Sequence, residues 1–185
     1  MFSISGVGNA TIIFSDDFNR ANSNDVGNGW VEDERNADDV AIDGNTLILR
    51  DRQSGDPDAA ILQGISLAGY EDIWLDFDWS ANNGTDANDR LYVDWDLADD
   101  NWSTVETIAL GGSGFASVSI DFLPLVDNQP DFRLRFWTDV NSGGQYERAI
   151  IDNVVLRGSP VPEPATMILF GLGLLGLAGV NRKKQ

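Results

Sequence analysis

Two residue types are missing from this 185-residue chain, which contains neither cysteine nor histidine. Without cysteine there are no disulfides and no thiolate metal sites. Without histidine the chain lacks the commonest general base near neutral pH and the commonest side-chain ligand of transition metals. These absences exclude Ser-His-Asp and Cys-His catalytic arrangements within the chain.

Positive charge is scarce, with 12 Lys and Arg against 30 Asp and Glu and a formal net charge of −18. Such an acidic chain repels phosphate backbones, which excludes nucleic acid as a partner. It is compatible with divalent cations and with a body kept in solution by its acidic residues. A P-loop, a Rossmann glycine fingerprint and a βαβ pattern are also absent.

What the sequence does contain is alternation of apolar and polar residues, the pattern of strands with one buried face. It is clearest in four segments: Ile73–Trp79, Leu91–Leu97, Val118–Phe122 and Phe132–Thr138. Further strands are predicted in Thr11–Phe14, Gly29–Glu32, Val40–Ile42, Thr46–Arg50, Ala59–Ile65, Val105–Leu110 and Glu147–Arg157. Many short strands without intervening amphipathic helices predict an all-β antiparallel jelly-roll sandwich over residues 11–158, with Trp79 and Trp95 in its core.

The composition changes after residue 158. Residues 159–164 carry alternating prolines and are predicted to form a stiff extended linker. Ala165–Val180 is uncharged and predicts one C-terminal hydrophobic helix, about 24 Å long at about 1.5 Å per residue. The basic residues Arg182, Lys183 and Lys184 follow it and are expected to stay on the cytoplasmic side as a membrane stop.

The order of these three elements resembles a PEP-CTERM sorting signal. The resemblance covers residues 161–185 and includes Pro162, Glu163 and Pro164, the hydrophobic stretch 165–180 and the basic end. It implies an exported protein of a Gram-negative, exopolysaccharide-producing bacterium. The chain would be anchored transiently in the inner membrane until an exosortase recognises the Pro-Glu-Pro motif and cleaves nearby.

The opposite end has no recognisable signal peptide, because Met1–Ser15 lacks a basic start and a long apolar stretch. Residues 1–10 are interpreted as a residual leader or linker, in which Gly8-Asn9-Ala10 resembles a cleavage site. We expect the natural reading frame to begin further upstream.

The body resembles concanavalin A-like, lectin-type jelly-roll domains at both of its ends. The opening segment is Asp16-Asp17-Phe18-Asn19-Arg20, followed by Gly27-Asn28-Gly29-Trp30, and the closing segment is Ala149–Val154. The resemblance implies that the first and last strands lie close together. It also implies a structural calcium ion there, with Asp17 and Asp152 as its ligands. The alternative is that Asp17 caps a turn and Asp152 hydrogen-bonds backbone in the last strand.

A second acidic cluster is interpreted as part of a solvated loop rather than as a calcium site. It contains Asp94, Asp96, Asp99 and Asp100 but lacks the glycine of an EF-hand loop. No cofactor is required by any feature of the sequence.

The polar parity of the strands predicts a carbohydrate-binding face. It comprises Trp74, Asp76, Tyr92, Arg133, Arg135 and Trp137. Sugar rings stack on flat aromatic groups while carboxylates and guanidinium groups bond their hydroxyls. The alternative is that these residues form ion pairs and aromatic packing on a solvated sheet.

The sequence therefore predicts a non-catalytic protein of the cell surface or extracellular matrix, sorted and cleaved by an exosortase. The first alternative is a lectin-like module that binds the exopolysaccharide. The second is a glycoside hydrolase, which paired carboxylates would permit. That alternative is disfavoured because the Glu-x-Asp-x-x-Glu strand motif of laminarinase-like jelly rolls does not occur.

Overall fold

The computed structural model describes residues 10–50, 58–82, 84–111, 115–140 and 147–161. Within these ranges each of the eleven predicted segments overlaps one strand. The strands are β1 (Thr11–Asp16), β2 (Trp30–Asp33), β3 (Val40–Asp43), β4 (Thr46–Leu49), β5 (Ala59–Ile65), β6 (Tyr70–Ala81), β7 (Arg90–Asp96), β8 (Ser103–Ala109), β9 (Ala116–Asp121), β10 (Phe132–Asp139) and β11 (Ala149–Pro160). A 3-10 turn, Leu123–Leu125, follows β9.

The strands form two antiparallel sheets, which confirms the predicted all-β sandwich. The six-stranded sheet has the order β3-β4-β11-β6-β9, and β1 also pairs with β11. The five-stranded sheet has the order β2-β5-β10-β7-β8. The first and last strands are therefore neighbours, with Asp16 opposite Val154.

The core lies between the sheets and is rich in aromatic rings from both. Phe77 of the six-stranded sheet meets Phe136 of the five-stranded sheet edge to face, with ring centroids 5.0 Å apart. Trp30 lies 5.8 Å from Phe136. Trp79 and Trp95, predicted as core residues, are partly buried and pack against this cluster. Burial of apolar area of this kind is the main stabilising term in folding.

The opening segment braces the two sheets. Buried Asp16 accepts hydrogen bonds from Arg20 Nη1 at 2.7 Å, from Trp30 Nε1 at 3.0 Å and from the Phe18 amide at 2.8 Å. Burial raises the pKa of this carboxyl, but the hydrogen bonds from Arg20 and other donors outweigh burial and lower it. The hydrogen bond from Trp30 to Asp16 therefore connects β2 to β1 across the edge of the sandwich.

One predicted boundary was wrong, because Ser159 and Pro160 belong to β11 rather than to a linker. Ser159 lies opposite Glu71 and Pro160 opposite Tyr70. The Val161 amide then donates to the Gly69 carbonyl at 2.8 Å. Proline lacks the N–H group that a strand ladder uses and is found at irregularities such as bulges, and the register of β11 with β6 shifts between Arg157 and Ser159, next to Pro160.

Candidate functional site

Four of the six residues predicted to contact sugar lie together on the outer face of the five-stranded sheet. Arg133, Arg135 and Trp137 alternate along β10 with buried residues. Tyr92 of β7 lies directly opposite Trp137. The two rings stack with centroids 4.0 Å apart and an interplanar angle of 10°.

A further aromatic residue, Trp102, completes this group and was missed by the sequence analysis. Its ring lies against both guanidinium groups, with its centroid 5.0 Å from the central carbon of Arg133 and 4.3 Å from that of Arg135. Trp102 stands in the acidic turn before β8, outside any alternating segment. The sequence signal that could have identified Trp102 as a site residue is the presence of a tryptophan in such a polar turn.

We call these five residues the aromatic–arginine face. Its members are Tyr92, Trp102, Arg133, Arg135 and Trp137. All five side chains are partly exposed, so the group is open to solvent while its members contact one another.

Two buried carboxylates hold this face in place from below. Asp94 is 2% exposed, and its Oδ2 accepts hydrogen bonds from Trp137 Nε1 at 2.7 Å and from Arg135 Nε at 3.2 Å. Asp96 is 1% exposed and accepts from Arg133 Nε at 2.7 Å. The interpretation of Asp94 and Asp96 as solvated was wrong, because both lie on β7 and the larger side chains of the face cover them.

The charges of the Arg133–Asp96 ion pair persist over a wide pH range. Burial raises the pKa of Asp96, but hydrogen bonds with Asp99, Arg133 and the Asn101 amide lower it to about 2. The hydrogen bond to Asp100 raises the pKa of Arg133, against the opposing effect of burial. Arg133 therefore keeps a charged carboxylate partner, while its remaining N–H donors are available for a ligand.

The other two predicted sugar-contacting residues belong to the opposite side of the molecule. Trp74 and Asp76 lie on β6, in the six-stranded sheet. Their neighbour there is Arg157 of β11, which donates through Nε to Asp76 Oδ2 at 2.6 Å. The prediction of a single face was thus wrong. Alternation identifies the outward residues of a strand but does not reveal which sheet contains it.

The two predicted calcium ligands lie near the paired first and last strands. Asp17 lines a depression of about 340 Å³ beside Asn153. Burial raises the pKa of Asp152, and the carboxylates of Asp78, Asp17 and Asp16 raise it further. Within the described ranges no group of three or more acidic side chains is placed to hold a metal ion. Calcium at Asp17 and Asp152 stays a prediction.

The sorting residues lie outside the described residues. This applies to Pro162, Glu163 and Pro164, to the hydrophobic stretch 165–180 and to Arg182, Lys183 and Lys184. In the part of the chain that the structure describes, no helix is long and apolar enough to cross a membrane.

Comparison with known protein families identifies the end of the chain. Residues 160–183 match the PEP-CTERM protein-sorting motif. This motif indicates an exported protein that is sorted at a membrane and processed by an exosortase. No curated protein matches the sequence as a relative.

Comparison with solved structures identifies the fold of the body. The chain is similar to the C-terminal family 22 carbohydrate-binding module of Clostridium thermocellum Xyn10B, with 12% identity, a TM-score of 0.51 and coverage of 80% of this chain and 94% of the module. It is also similar to the K3 cleaved adhesin domain of the Lys-gingipain of Porphyromonas gingivalis, with 11% identity, a TM-score of 0.52 and coverage of 80% and 99%.

A third similar structure holds the CBM22-1 and GH10 modules of the Clostridium thermocellum endo-1,4-beta-D-xylanase 10B. Identity is 13%, the TM-score is 0.49, and the match covers 80% of this chain. This chain spans only 28% of the length of the xylanase chain. The carbohydrate-binding modules among these neighbours are jelly-roll domains, which agrees with the predicted fold class.

Proposed function

We propose that this chain is a non-catalytic polysaccharide-binding protein, released by an exosortase to the cell surface or extracellular matrix. The observation that carries the proposal is the aromatic–arginine face, in which three aromatic rings and two guanidinium groups share an open surface above buried carboxylates. The sorting motif supports the route of export, and the exopolysaccharide around the cell is the ligand we expect.

The chemistry of the face suits a sugar chain. The apolar C–H faces of a pyranose ring pack on exposed aromatic surface, and guanidinium N–H groups donate to sugar hydroxyls. Asp94 and Asp96 fix the orientation of Arg133, Arg135 and Trp137 before a ligand arrives, which reduces the conformational entropy lost on binding.

Burial of the two carboxylates favours binding over a purely structural role for the face. Removing a charge from water is unfavourable unless partners compensate it, and a buried ion pair adds little net stability. A solvated outer sheet would not need such pairs. They do, however, orient a set of long side chains on a surface that a ligand can reach.

Glycoside hydrolysis is a poorer fit to the same face. It requires one protonated carboxyl group and one free carboxylate on either side of the scissile bond. Asp94 and Asp96 are instead covered and engaged with arginine, and the pKa of Asp96 is about 2. The similar family 22 carbohydrate-binding module supports a binding role as well, although its likeness extends to the fold alone.

Binding is tested with the full chain in mild detergent, applied to a glycan array and to exopolysaccharide from an exosortase-containing bacterium. We expect Trp137→Ala and Trp102→Ala each to weaken binding about tenfold or more, since each removes stacking surface. Phe115→Ala is the matched control, because this ring is 62% exposed and lies outside the face.

The outcomes separate three functions. Binding that is weakened in both tryptophan variants and unchanged in the control supports the proposal. An absence of binding in the wild-type chain favours a matrix protein that is only deposited, without a glycan ligand. Release of reducing sugar from the exopolysaccharide would contradict the non-catalytic assignment. Near-UV circular dichroism verifies that the variants remain folded.

A further inference from the structure

We propose that the outer face of the six-stranded sheet is a second binding surface, for neutral polysaccharides, which makes the body bivalent. We call this surface the Trp74 face. Its members are Trp74, Asp76, Asp78, Ser117, Ser119, Asn153 and Arg157. The inference rests on the proposed function, because it takes the aromatic–arginine face as the first of the two binding surfaces.

The centre of the Trp74 face repeats the chemistry of the first face. Trp74 is partly exposed, and the guanidinium carbon of Arg157 lies 5.1 Å from its ring centroid. Arg157 also donates to Asp76 Oδ2 at 2.6 Å. Trp74 and Arg157 lie directly opposite each other on β6 and β11, two adjacent strands of the sheet. An aromatic ring, a guanidinium group and an aspartate are thus held together on rigid elements.

Hydroxyl and carboxylate groups extend this centre along β6 and β9. Ser119 Oγ donates to Asp76 Oδ1 at 2.5 Å, and Ser117 Oγ donates to Asp78 Oδ1 at 2.5 Å. Asn153 Nδ2 donates to Asp78 Oδ2 at 2.9 Å. Such a row of donors and acceptors beside an aromatic ring can hydrogen-bond the hydroxyls of successive sugar units.

The charge of this surface selects its ligand class. Asp76, Asp78 and the neighbouring Asp152 are partly exposed, and among the described members of the face Arg157 is the one arginine. Burial raises the pKa of Asp76, but the hydrogen bonds from Arg157 and Ser119 outweigh it and lower the pKa, so this carboxylate is ionised at neutral pH. An acidic surface repels uronate and sulfate groups, whereas hydroxyls donate readily to carboxylates. A neutral polysaccharide is therefore the expected ligand.

The Trp74 face is expected to bind a polysaccharide more weakly than the aromatic–arginine face does. Its ion pair is open to water, because the side chains of Arg157 and Asp76 are 33% and 34% exposed. Asp94 and Asp96 under the first face are buried, with their side chains alone 3% and 0% exposed. Solvent exposure leaves the side chains of the Trp74 face less firmly oriented before binding, and an exposed ion pair contributes little free energy.

Opposite placement of the two faces has a direct consequence. Packed sheets lie about 10 Å apart, and the two surfaces point away from each other across the sandwich. One sugar chain cannot lie on both, so a doubly occupied molecule joins two polysaccharide chains. This would make the protein a cross-linker of its surrounding matrix.

The test uses full-length wild type, Trp74→Ala, Trp137→Ala and the double variant in mild detergent. Each is titrated with soluble xylan, mixed-linkage β-glucan and galactomannan, and both the sites per chain and the light scattering of cross-linked complexes are measured. Sedimentation confirms that each variant is monomeric. We expect two sites and strong scattering for wild type, about half the binding capacity and no scattering increase for each single variant, and no binding for the double variant.

The outcomes distinguish this inference from the proposed function. If Trp74→Ala matches wild type while Trp137→Ala binds nothing, the second surface is refuted and the proposed function stands. If Trp74→Ala alone removes binding, the Trp74 face is a site but the first face is not. Failure of wild type to bind any of the three polysaccharides overturns the neutral-ligand assignment. Trp74→Phe should keep most of the binding, and Leu123→Ala, a change of a 58% exposed side chain outside the face, should keep all of it.

Discussion

Asp94 and Asp152 are both aspartates at the edge of a candidate site, yet their surroundings differ. Asp94 receives hydrogen bonds from Trp137 and Arg135, whereas Asp152 accepts one from the Asn153 amide at 2.8 Å and has other carboxylates nearby. The charge of Asp94 is therefore compensated, while that of Asp152 opposes folding at neutral pH. The chemistry of an acidic residue in this protein depends on which cations accompany it.

Replacing Asp152 with asparagine should stabilise the protein at pH 7. Burial and the neighbouring carboxylates raise the pKa of Asp152 above its ordinary value of 3.8, so its ionised form is disfavoured in the folded state. This destabilisation is present above the folded pKa and disappears as the pH falls through it. We expect Asp152→Asn to raise Tm by a few degrees at pH 7 and by nothing below about pH 3.8, as measured by thermal unfolding.

The same variant tests the predicted calcium site. With Asp17 and Asp152 as ligands, calcium chloride should raise the Tm of wild type above that in sodium chloride of equal ionic strength, and Asp152→Asn should lose this increase. Identical curves for wild type in the two salts would eliminate the calcium prediction. Asp33→Asn, a change of an exposed aspartate outside the cluster, serves as the control for a simple loss of negative charge.

Among the elements, β11 is the strand that positions Arg157 opposite Trp74 and Asp152 opposite Asp78. It pairs with β1, β4 and β6, and its register with β6 shifts between Asp152 and Val155 and again between Arg157 and Ser159. Asn153 adopts a positive φ of 52° within the first of these irregularities. A bulge increases the local twist and redirects side chains, which here places Arg157 opposite Trp74.

Gly158 is the position in β11 that tolerates no side chain. A Cβ atom there would lie 2.6 Å from Ile73 Cδ1 and 3.3 Å from the Glu71 carbonyl oxygen. Ile73 is fully buried, so it has little space in which to move. We expect Gly158→Ala to reduce the free energy of unfolding by about 1–3 kcal/mol, measured by urea denaturation.

Ser159→Ala is the matched control for this change, because it alters the adjacent residue without adding an atom in the tight region. It should leave the free energy of unfolding within about 0.5 kcal/mol of wild type. If Gly158→Ala also leaves the free energy of unfolding within about 0.5 kcal/mol of wild type, the close approach of β11 and β6 at this point does not exist in solution.

At the scale of the whole molecule, an acidic sandwich is joined to a sorting segment that is hydrophobic and then basic in sequence. The last described backbone hydrogen bond of the body is donated by Val161, and the Pro-Glu-Pro motif begins at the next residue. The body thus ends directly before the sequence that an exosortase is proposed to recognise.

Release of the body should depend on the motif and not on neighbouring proline. In an exosortase-containing bacterium we expect the double change Pro162→Ala with Glu163→Ala to keep the full-length chain in the membrane fraction. Pro160→Ala, outside the Pro-Glu-Pro triplet, should be released like wild type. Mass spectrometry of the membrane and secreted fractions measures both ends of each product. Secretion of the same product from the double variant would contradict the proposed processing.

Much of the fold could be predicted from sequence because strand alternation is a local property. Four strands follow from clear alternation of apolar and polar residues, and the other seven from short apolar segments between turns. The turn at Asp43-Gly44-Asn45 joins β3 to β4, with φ of 62° at Gly44 and 63° at Asn45. The site was predicted less completely. Trp102 lies in a turn without alternation, and the burial of Asp94 depends on side chains that a distant strand contributes.

The amino-acid sequence by itself determined that this protein is a β-sandwich with a sorting motif and without histidine or cysteine chemistry. Those features follow from the composition, from the local spacing of apolar residues and from the order of adjacent segments. Only the tertiary structure decided that Trp74 and Trp137 lie on opposite sides of the molecule. Which strands share a sheet depends on pairing between residues far apart in the chain, and no local pattern encodes that pairing.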